Sequence, residues 1–250
     1  MQIILSPAKK LRLTKSCTDT STIPYFNDDA EKVMSVLKLE SIEKIEEKMK
    51  ISHDLAVENH QRYKIWDKNI SKNHINAGFL YDGATFQGLD INSFDDNDMS
   101  FAQSHLFVVS ALYGLLRPLD AVMPYRLEMQ QRNIIVDDCK NLYEFWKNKI
   151  TDLLNIKLDE DNILVNLASD EYFKAIDKKK FKGRFITPIF YENKNGKYKI
   201  ISSYVKKARG SFAKYIIKNK ISSLDKLCEF DYDGYKFDSF DNDIMIFKRG

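Results

Sequence analysis

Four strand-like segments in this chain are each followed at once by polar or cationic residues. In chain order they are Gln2–Leu5, Leu106–Val109, Asn162–Leu167 and Lys197–Tyr204. Short runs of this kind are typical of strands, and apolar residues at helical spacing lie between them. This alternation predicts an α/β (mixed α+β) fold in which helices flank a mixed central sheet.

The length and the continuity of the chain favour one structural unit. Of its 250 residues, 44% are hydrophobic, which is enough to build one substantial core. No internal repeat and no low-complexity linker divides the sequence. We therefore expect a single compact domain that spans residues 1–250.

The residues that follow the predicted strands carry a local excess of positive charge. The whole chain has 39 basic and 36 acidic side chains, so its net charge of +3 provides no general attraction for nucleic acid. If the strand ends meet at one edge of the sheet, their cations would form a cleft that attracts phosphate groups. The predicted anion-binding residues are Lys9, Arg117, Arg126, Lys174, Lys206, Lys207 and Arg209.

The segment Ser110–Met129 follows the second strand and is dense in polar residues. Pro118 and Pro124 restrict the residues before them, so the segment is predicted to be a stiff loop that holds its charges in place. Acids and tyrosines beside cations suit proton transfer, with the arginines as electrostatic clamps. The candidate catalytic residues are Tyr113, Asp120, Glu128, Glu171 and Tyr172. Alternatively, the two acids of this segment orient its two arginines through ion pairs.

Residues 35–66 are predicted to form an element that resembles a helix-hairpin-helix motif. Apolar residues recur at helical spacing on both sides of a break at Lys48–Ser52. Such motifs meet the DNA backbone with the hairpin amides and the positive end of the second helix. The predicted DNA-binding residues are Lys48, Lys50, Ser52, Arg62 and Lys64. The break contains no glycine for close backbone approach, so an ordinary helical pair with a charged outer face is the alternative.

The last third of the chain predicts a hairpin followed by a helix. Asn195 and Gly196 are a strong turn signal between strands at Ile186–Glu192 and Lys197–Tyr204. A helix is expected at Ser211–Asn219, which would place residues 206–209 just before its start. Earlier in the chain, the glycine-containing segment at residues 81–89 is expected to be a strand or turn beside the central loop.

Several longer motifs resemble those of the YaaA family of bacterial peroxide-stress proteins. They are SALYGLLRPLD with PYRLEM, the opening IILSPAKK, GATFQGL, LYEFW, NLASDEYFK and KKARG, in the same order as in the family. The resemblance spans essentially the whole chain. It implies a role in the peroxide (oxidative) stress response, with DNA binding and a lowered pool of reactive iron.

Two functions fit a cationic cleft of this kind. In the first, the cleft receives the backbone of duplex or branched DNA and works with the hairpin near Lys50, without sequence specificity. In the second, it is the active site of an enzyme that acts on a nucleotide or another phosphorylated small molecule.

Other functional classes find little support in the sequence. Cys17, Cys139 and Cys228 are far apart and odd in number, which favours a reducing compartment over a disulfide framework. Peroxide reduction by a cysteine is disfavoured because neighbouring acids raise a thiol pKa. We expect a cytoplasmic monomer with no metal, no cofactor and no membrane-spanning segment.

Overall fold

The computed structural model describes residues 1–14, 20–69 and 74–250. Cys17 therefore lies outside the described residues. The strands in these ranges are β1 (Gln2–Leu5), β2 (Ile75–Asn76), β3 (Leu106–Ser110), β4 (Gly114–Leu116), β5 (Ala121–Val122), β6 (Ile163–Leu167), β7 (Arg184–Lys194), β8 (Lys197–Lys199), β9 (Lys236–Asp241) and β10 (Ile244–Arg249).

The helices lie between these strands and cover the faces of the sheet. They are α1 (Asn27–Leu37), α2 (Ile42–Met49), α3 (His53–Ile65), α4 (Ala77–Leu80), α5 (Ala84–Leu89), α6 (Asp96–His105), α7 (Leu142–Ile156), α8 (Asp170–Phe173), α9 (Ser202–Lys218) and α10 (Leu224–Leu227). Two short 3-10 turns are at Ile91–Ser93 and Tyr232–Gly234.

The main sheet is mixed and has the strand order β4-β3-β1-β6-β7-β10-β9, with β8 paired to β7. The four strands β3, β1, β6 and β7 are parallel, and β10 is parallel to β7. Strands β4, β8 and β9 pair antiparallel with their neighbours, and β2 and β5 form a separate small sheet. The predicted fold class is confirmed.

Strand β1 lies inside the sheet, between β3 and β6. Ile3 pairs with Leu106 on one side and with Val165 on the other. All residues of β1, β3 and β6 are buried, as is usual for parallel strands with helices on both faces. After β1, the chain first adds β3 on one side of β1 and later adds β6 on the other side.

Local sequence signals account for several element ends. Asp95 and Asp98 form a capping box at the start of α6, and Asn141 caps α7. The turn between β7 and β8 is the predicted one, with Gly196 at a φ of +76°. The two terminal strands β9 and β10 also form an antiparallel hairpin.

Helix α9 begins earlier than predicted, at Ser202 instead of Ser211. Val205, Ala208 and Phe212 are buried at helical spacing, so the apolar face of this helix extends back through the basic run. The prediction of a strand to Tyr204 was therefore wrong, because β8 ends at Lys199.

Helix α5 replaces the strand or turn predicted at residues 81–89, and glycines explain its position. A Cβ atom on Gly88 would lie 2.2 Å from the Lys207 carbonyl oxygen, and one on Gly210 would lie 1.8 Å from the Thr85 carbonyl oxygen. The two helices thus cross in backbone contact, which only glycine permits at these positions. This crossing fixes α9 beside residues 83–85.

Helices α2 and α3 form the predicted helical pair at residues 35–66. Lys50 ends α2 with a φ of +50°, and Ser52 caps α3 by accepting a hydrogen bond from the Leu55 amide. The two helices pack against each other, and Ile45 of α2 and Ala56 of α3 are buried. The identity of this pair as a helix-hairpin-helix motif stays a prediction. No helix in the described parts of the chain is long and apolar enough to span a bilayer.

Candidate anion-binding cleft

A cleft of about 310 Å³ opens at the carboxyl ends of β1 and β6. Ligands in open α/β sheets bind where successive strands depart to opposite sides, and β1 marks that point here. Among the described residues, those that line the cleft are Ser6, Pro7, Ala8, Lys9, Lys10, Tyr81, Asp82, Gly83, Ala84, Thr85, Tyr125, Arg126, Leu127, Glu128, Leu167, Ser169, Glu171, Tyr172, Lys206 and Arg209.

Two serines join the strand ends that form the base of the cleft. Ser6 follows β1 directly, and its Oγ accepts a hydrogen bond of 2.8 Å from the Ser169 amide beyond β6. The two hydroxyls are also within 3.2 Å of each other. These contacts hold Ser6–Lys10 and Ser169–Tyr172 on adjacent walls.

Two arginines in the cleft have unsatisfied donors. The Nε atoms of Arg126 and Arg209 are buried and have no hydrogen-bond partner among the described residues. Arg209 forms neither a hydrogen bond nor an ion pair with any described side chain, and burial lowers the pKa of its guanidinium group. Arg126 has one carboxylate oxygen of Glu128 at 3.8 Å, which is longer than a hydrogen bond. A buried donor without a hydrogen-bond partner is costly, so both arginines are suited to an anionic ligand.

Lysines at the mouth of the cleft add positive charge. Lys9 is 65% exposed and contacts Glu128, with 2.7 Å between Nζ and Oε1. Lys10 is paired with Asp82 at 2.8 Å. Lys206 is exposed on α9, one helical turn from Arg209 on the same face. Lysine charge therefore surrounds the opening while arginine charge lies deeper.

A second carboxylate, that of Glu171, lies close to Glu128. Burial raises the pKa of the Glu171 carboxyl. The Gln130 amide donates a hydrogen bond of 3.2 Å to Glu171 Oε1, and this bond lowers the pKa. The negative charge of Glu128 raises the pKa further. Burial thus favours the protonated form of Glu171 relative to an exposed glutamate.

A chain of hydroxyl groups forms the floor of the cleft. Ser110 Oγ accepts hydrogen bonds from two amides, at 3.2 Å from Leu112 and 2.9 Å from Tyr113, and is 2.6 Å from the Tyr125 hydroxyl. The Tyr125 hydroxyl is also 2.8 Å from the Tyr81 hydroxyl, so the three side chains form one hydrogen-bonded chain. Burial raises the pKa of Tyr125 to about 12 and that of Tyr81 above its ordinary value.

The cleft brings together only part of the predicted anion-binding set. Lys9, Arg126, Lys206 and Arg209 line it, together with the predicted catalytic candidates Glu128, Glu171 and Tyr172. Lys207 lies on a different face of α9 and pairs with Asp233 at 3.1 Å. Lys174 is exposed after α8 and does not line the cleft.

Arg117, Asp120 and Tyr113 occupy structural positions outside the cleft. The Asp120 carboxylate is completely buried and accepts hydrogen bonds from the Arg117 amide and side chain, and from Thr22. The Tyr113 hydroxyl accepts from the Trp66 indole and from the Met123 amide. Asp120 therefore has the geometry of the alternative stated above, in which an acid orients an arginine through an ion pair, here Arg117.

The sequence interpretation did not select Ser6, Ser169, Tyr81 and Tyr125 as site residues. Ser6 and Ser169 follow β1 and β6 immediately, so the rule used for the lysines would also have found them. Tyr81 and Tyr125 carry no comparable signal, because a tyrosine beside apolar residues is usually part of a core.

The predicted DNA-binding hairpin adjoins one wall of the cleft. The Gln131 side chain donates to the Lys48 carbonyl oxygen at 3.0 Å, and the Tyr63 hydroxyl donates to the Arg126 carbonyl oxygen. Lys50 and Ser52 are exposed at the hairpin.

Three of the hairpin cations are tied to protein groups. Lys48 contacts Glu40 at 2.7 Å, Arg62 contacts Glu58 at 2.5 Å, and Lys64 donates to the Lys38 carbonyl oxygen at 2.9 Å. Lys50 is therefore the exposed cation of the predicted set at the turn itself.

The described cysteines lie where a thiolate is disfavoured, and the described acids form no cluster of metal ligands. Burial raises the thiol pKa of Cys139 and of Cys228, and neighbouring acids add to the increase. Among the described residues, no group of three or more His, Cys, Asp or Glu side chains is placed to hold a metal ion.

The fold and the cleft together define a mixed α/β protein with a cleft lined by arginines and lysines at the switch point of its sheet. The chain belongs to the family described as peroxide stress protein YaaA, whose family model matches residues 1–240.

Relatives from several bacteria resemble the chain over nearly its full length. A UPF0246 protein of Legionella pneumophila strain Paris is 45% identical over 242 residues, covering 95% of each chain. A UPF0246 protein of Ralstonia pickettii is 45% identical over 255 residues, covering 100% of this chain and 99% of the relative. A UPF0246 protein of a Marinomonas species is 42% identical over 240 residues, covering 95% of this chain and 92% of the relative.

Proposed function

We propose that this protein acts in the peroxide stress response by binding the phosphate backbone of DNA in its cationic cleft. The pair of buried arginine Nε donors without partners, on Arg126 and Arg209, carries the proposal. Phosphate oxygens satisfy such donors with charge-assisted hydrogen bonds, and lysines at the mouth add attraction at longer range.

The hairpin between α2 and α3 supplies the second part of the DNA contact. The amides in the first turn of α3 have no intrahelical acceptor, and Lys50 lies exposed beside them. Because Gln131 joins the hairpin to the cleft wall, both elements would contact neighbouring phosphates of one backbone. No base edge is read in this arrangement, so binding would not depend on sequence.

Counterion release links this binding to iron. Each phosphate that a protein cation neutralises loses its condensed counterions. Ferrous ions held on the DNA backbone would be displaced in the same way, so bound DNA would suffer less iron-driven damage without an iron site in the protein.

A salt titration tests the proposal. We expect duplex affinity to fall steeply between low and moderate salt, with a slope of log K against log salt of about −0.9 for each neutralised phosphate. Arg126→Ala with Arg209→Ala should weaken binding at every salt concentration and make the slope shallower. Lys50→Glu should weaken binding independently, and it is preferable to substitutions at Lys48, whose partner Glu40 is half-buried.

Lys182 provides the matched control. It is exposed next to Gly183, which packs against the Asn162 carbonyl oxygen at the amino end of β6, on the opposite edge of the sheet from the cleft. Lys182→Glu changes the net charge as Lys50→Glu does. Equal losses of affinity in both variants, or no duplex binding at low salt, would contradict the proposal.

A phosphorylated small molecule is the second candidate ligand. Glu171 supports this candidate because it lines the same cleft as Lys9 and Arg126 and burial raises its pKa, as is common for a general acid that transfers a proton to a bound leaving group. In that case particular nucleotides should raise the melting temperature of the wild type. Glu171→Gln should abolish turnover of the stabilising compound while its thermal stabilisation persists.

A further inference from the structure

We infer that one face of the sheet at β7, β8, β9 and β10 binds single-stranded DNA, with bases stacked on Tyr198 and phosphates held by lysines. This surface, called the outer face, shares no residue with the lining of the cleft. Its rows of side chains are Tyr198, Tyr191, Lys248 and Lys236, then Ile189, Ile246 and Ser239, then Thr187, Ile244 and Asp241.

The alternation of side chains along β7 and β10 defines the outer face. Phe190 of β7 and Phe247 of β10 contact the Phe212 ring of α9, with centroids 6.0 and 5.4 Å apart. The residues beside them in each strand point to the opposite face of the sheet. Ile189 is paired with Ile246 in the register of the two strands, so their side chains are neighbours on that face.

The outer face is left open although its central strands are parallel. Parallel strands in α/β proteins are usually covered on both faces. Here α9 packs on β7, and it does so on the face that carries Phe190. Ile189, Ile244 and Ile246 are only partly buried and lie outside the hydrophobic core. An apolar surface that stays open in this way is typical of a binding site.

Tyr198 presents an anchored aromatic ring at one end of this surface. The residue is 44% exposed. Its hydroxyl donates to the Gly250 carbonyl oxygen at 3.4 Å, so the side chain extends from β8 to the end of β10. Lys248 Nζ lies 5.0 Å from the centroid of the ring. An exposed ring beside a cation suits a nucleic-acid base, because every base has a face that stacks on an aromatic side chain.

The charge near Tyr198 complements a phosphate backbone. Lys194, Lys197 and Lys236 are exposed and form no ion pair with a residue that the structure describes. Asp238 is paired with Lys248 at 2.9 Å and therefore offsets that lysine alone. The acid Asp241 lies in the row farthest from Tyr198. A strand would thus place its phosphates along the end of the face that carries the lysines.

The ligand is a single strand because the bases of a duplex are stacked on each other and do not offer their faces to a sheet. The assignment to DNA rests on the proposed function. Strands β7 and β10 run parallel to β6, so their carboxyl ends lie at the same edge of the sheet as the cleft. A strand that separates from a duplex held at the cleft would therefore meet the outer face.

The test is a fluorescence anisotropy titration with a labelled strand of roughly 12 thymidines, a length within the range of single-strand-binding sites. Thymidines form no duplex with one another. We expect Tyr198→Ala to weaken binding of this strand at least about fivefold, because a stacking ring is lost. Tyr198→Phe keeps the ring and should bind as the wild type does. The affinity of a duplex should be the same in the wild type and in both variants.

Phe240 provides the matched control. It is 42% exposed and is paired with the buried Met245, so it lies on the opposite face of the same hairpin. Phe240→Ala removes an exposed ring of similar size and should leave binding of the strand unchanged. Lys236→Glu should weaken binding of the strand, whereas Lys182→Glu should not.

Several results would overturn the inference. They are no binding of the thymidine strand to the wild type at low salt, equal affinity of Tyr198→Ala and the wild type, and loss of strand binding only in Arg126→Ala with Arg209→Ala. Tighter binding of a uridine strand of the same length would assign the face to RNA, and a dimer in sedimentation that Ile246→Glu dissociates would assign it to a second copy of this chain.

The two proposals fail separately. If the duplex does not bind but the strand does, and Tyr198→Ala releases the strand, the proposed function is wrong and the outer face holds. If the duplex binds and the strand does not, the outer face is overturned and the proposed function holds.

Discussion

Lys9 Nζ lies 2.7 Å from Glu128 Oε1, and this contact joins the loop after β1 to the segment after β5 across the mouth of the cleft. The same carboxylate is 3.8 Å from Arg126. Glu128 thus lies beside two of the cations that are proposed to bind phosphate. In the absence of ligand it offsets their charge, and a ligand phosphate must compete with it.

Replacement of this acid should therefore strengthen binding. Glu128→Gln removes the competing charge and keeps the shape of the side chain, so we expect duplex affinity at low salt to rise roughly three- to tenfold, as for a unit charge removed near a protein surface. The measurement is a fluorescence anisotropy titration, with Glu229→Gln as the control on an exposed ion pair. A loss of affinity would instead show that Glu128 orients Arg126 for the ligand.

The raised pKa of Glu171 predicts a pH dependence. In the folded protein this acid keeps its proton to a higher pH than in the unfolded chain, so folding stability should decrease as pH rises from about 4.5 through the raised value. DNA affinity should decrease over the same window, because ionised Glu171 repels phosphate. Glu171→Gln should flatten both profiles, measured at constant ionic strength. A slope that persists in this variant would assign the effect to another group.

The buried pair of Arg117 and Asp120 predicts a large effect on stability. The Asp120 side chain is fully buried, and Arg117 Nη2 contacts it at 2.7 Å. Arg117→Met would leave the carboxylate without its partner, at a cost of about 3–5 kcal/mol in the free energy of unfolding. Urea denaturation measures this loss.

A double substitution separates pairing from packing at this site. Arg117→Met with Asp120→Asn should recover part of the lost stability, since no buried charge remains. If the single Arg117 variant unfolds like the wild type but binds DNA weakly, Arg117 belongs to the binding surface after all.

The close crossing of α5 and α9 predicts that small additions disturb the cleft. Gly210→Ala would force its new methyl group into the Thr85 carbonyl oxygen, at a cost of roughly 1–3 kcal/mol for an overpacked contact. The helices would separate and move Arg209, so duplex affinity should fall together with stability.

Gly196 is the comparison for this prediction. Its φ of +76° makes alanine unfavourable by about 1–2 kcal/mol, but there is open space around it and it lies in the turn after β7. Gly196→Ala should therefore cost stability without changing duplex affinity. Equal losses of affinity in both glycine variants would contradict a specific role for the helix crossing.

Much of the fold was predictable from short-range patterns. The strands at residues 106–109 and 162–167, the helix capped by Asn141 and the Asn195-Gly196 turn all follow from periodicity and turn chemistry. The family motifs indicated the same family that matches residues 1–240. The rule that polar residues after parallel strands share one edge placed Lys9 and Arg126 in one cleft.

Other features depended on partners distant in the sequence. Helix α9 crosses α5 in backbone contact at Gly88, and nothing in the sequence near Lys206 predicts that contact. Arg117 and Arg126 are equivalent in local sequence character, yet Arg117 is paired with a buried acid and Arg126 retains an unsatisfied donor.

The sequence by itself determined the class of fold, the order of its elements and the types of side chain available at the strand ends. Only the tertiary structure decided which of those cations remain unpaired and which tyrosines form the floor. The physical reason is that pairing and desolvation depend on every group that approaches a side chain, and in this protein those groups come from strands and helices far apart in the chain.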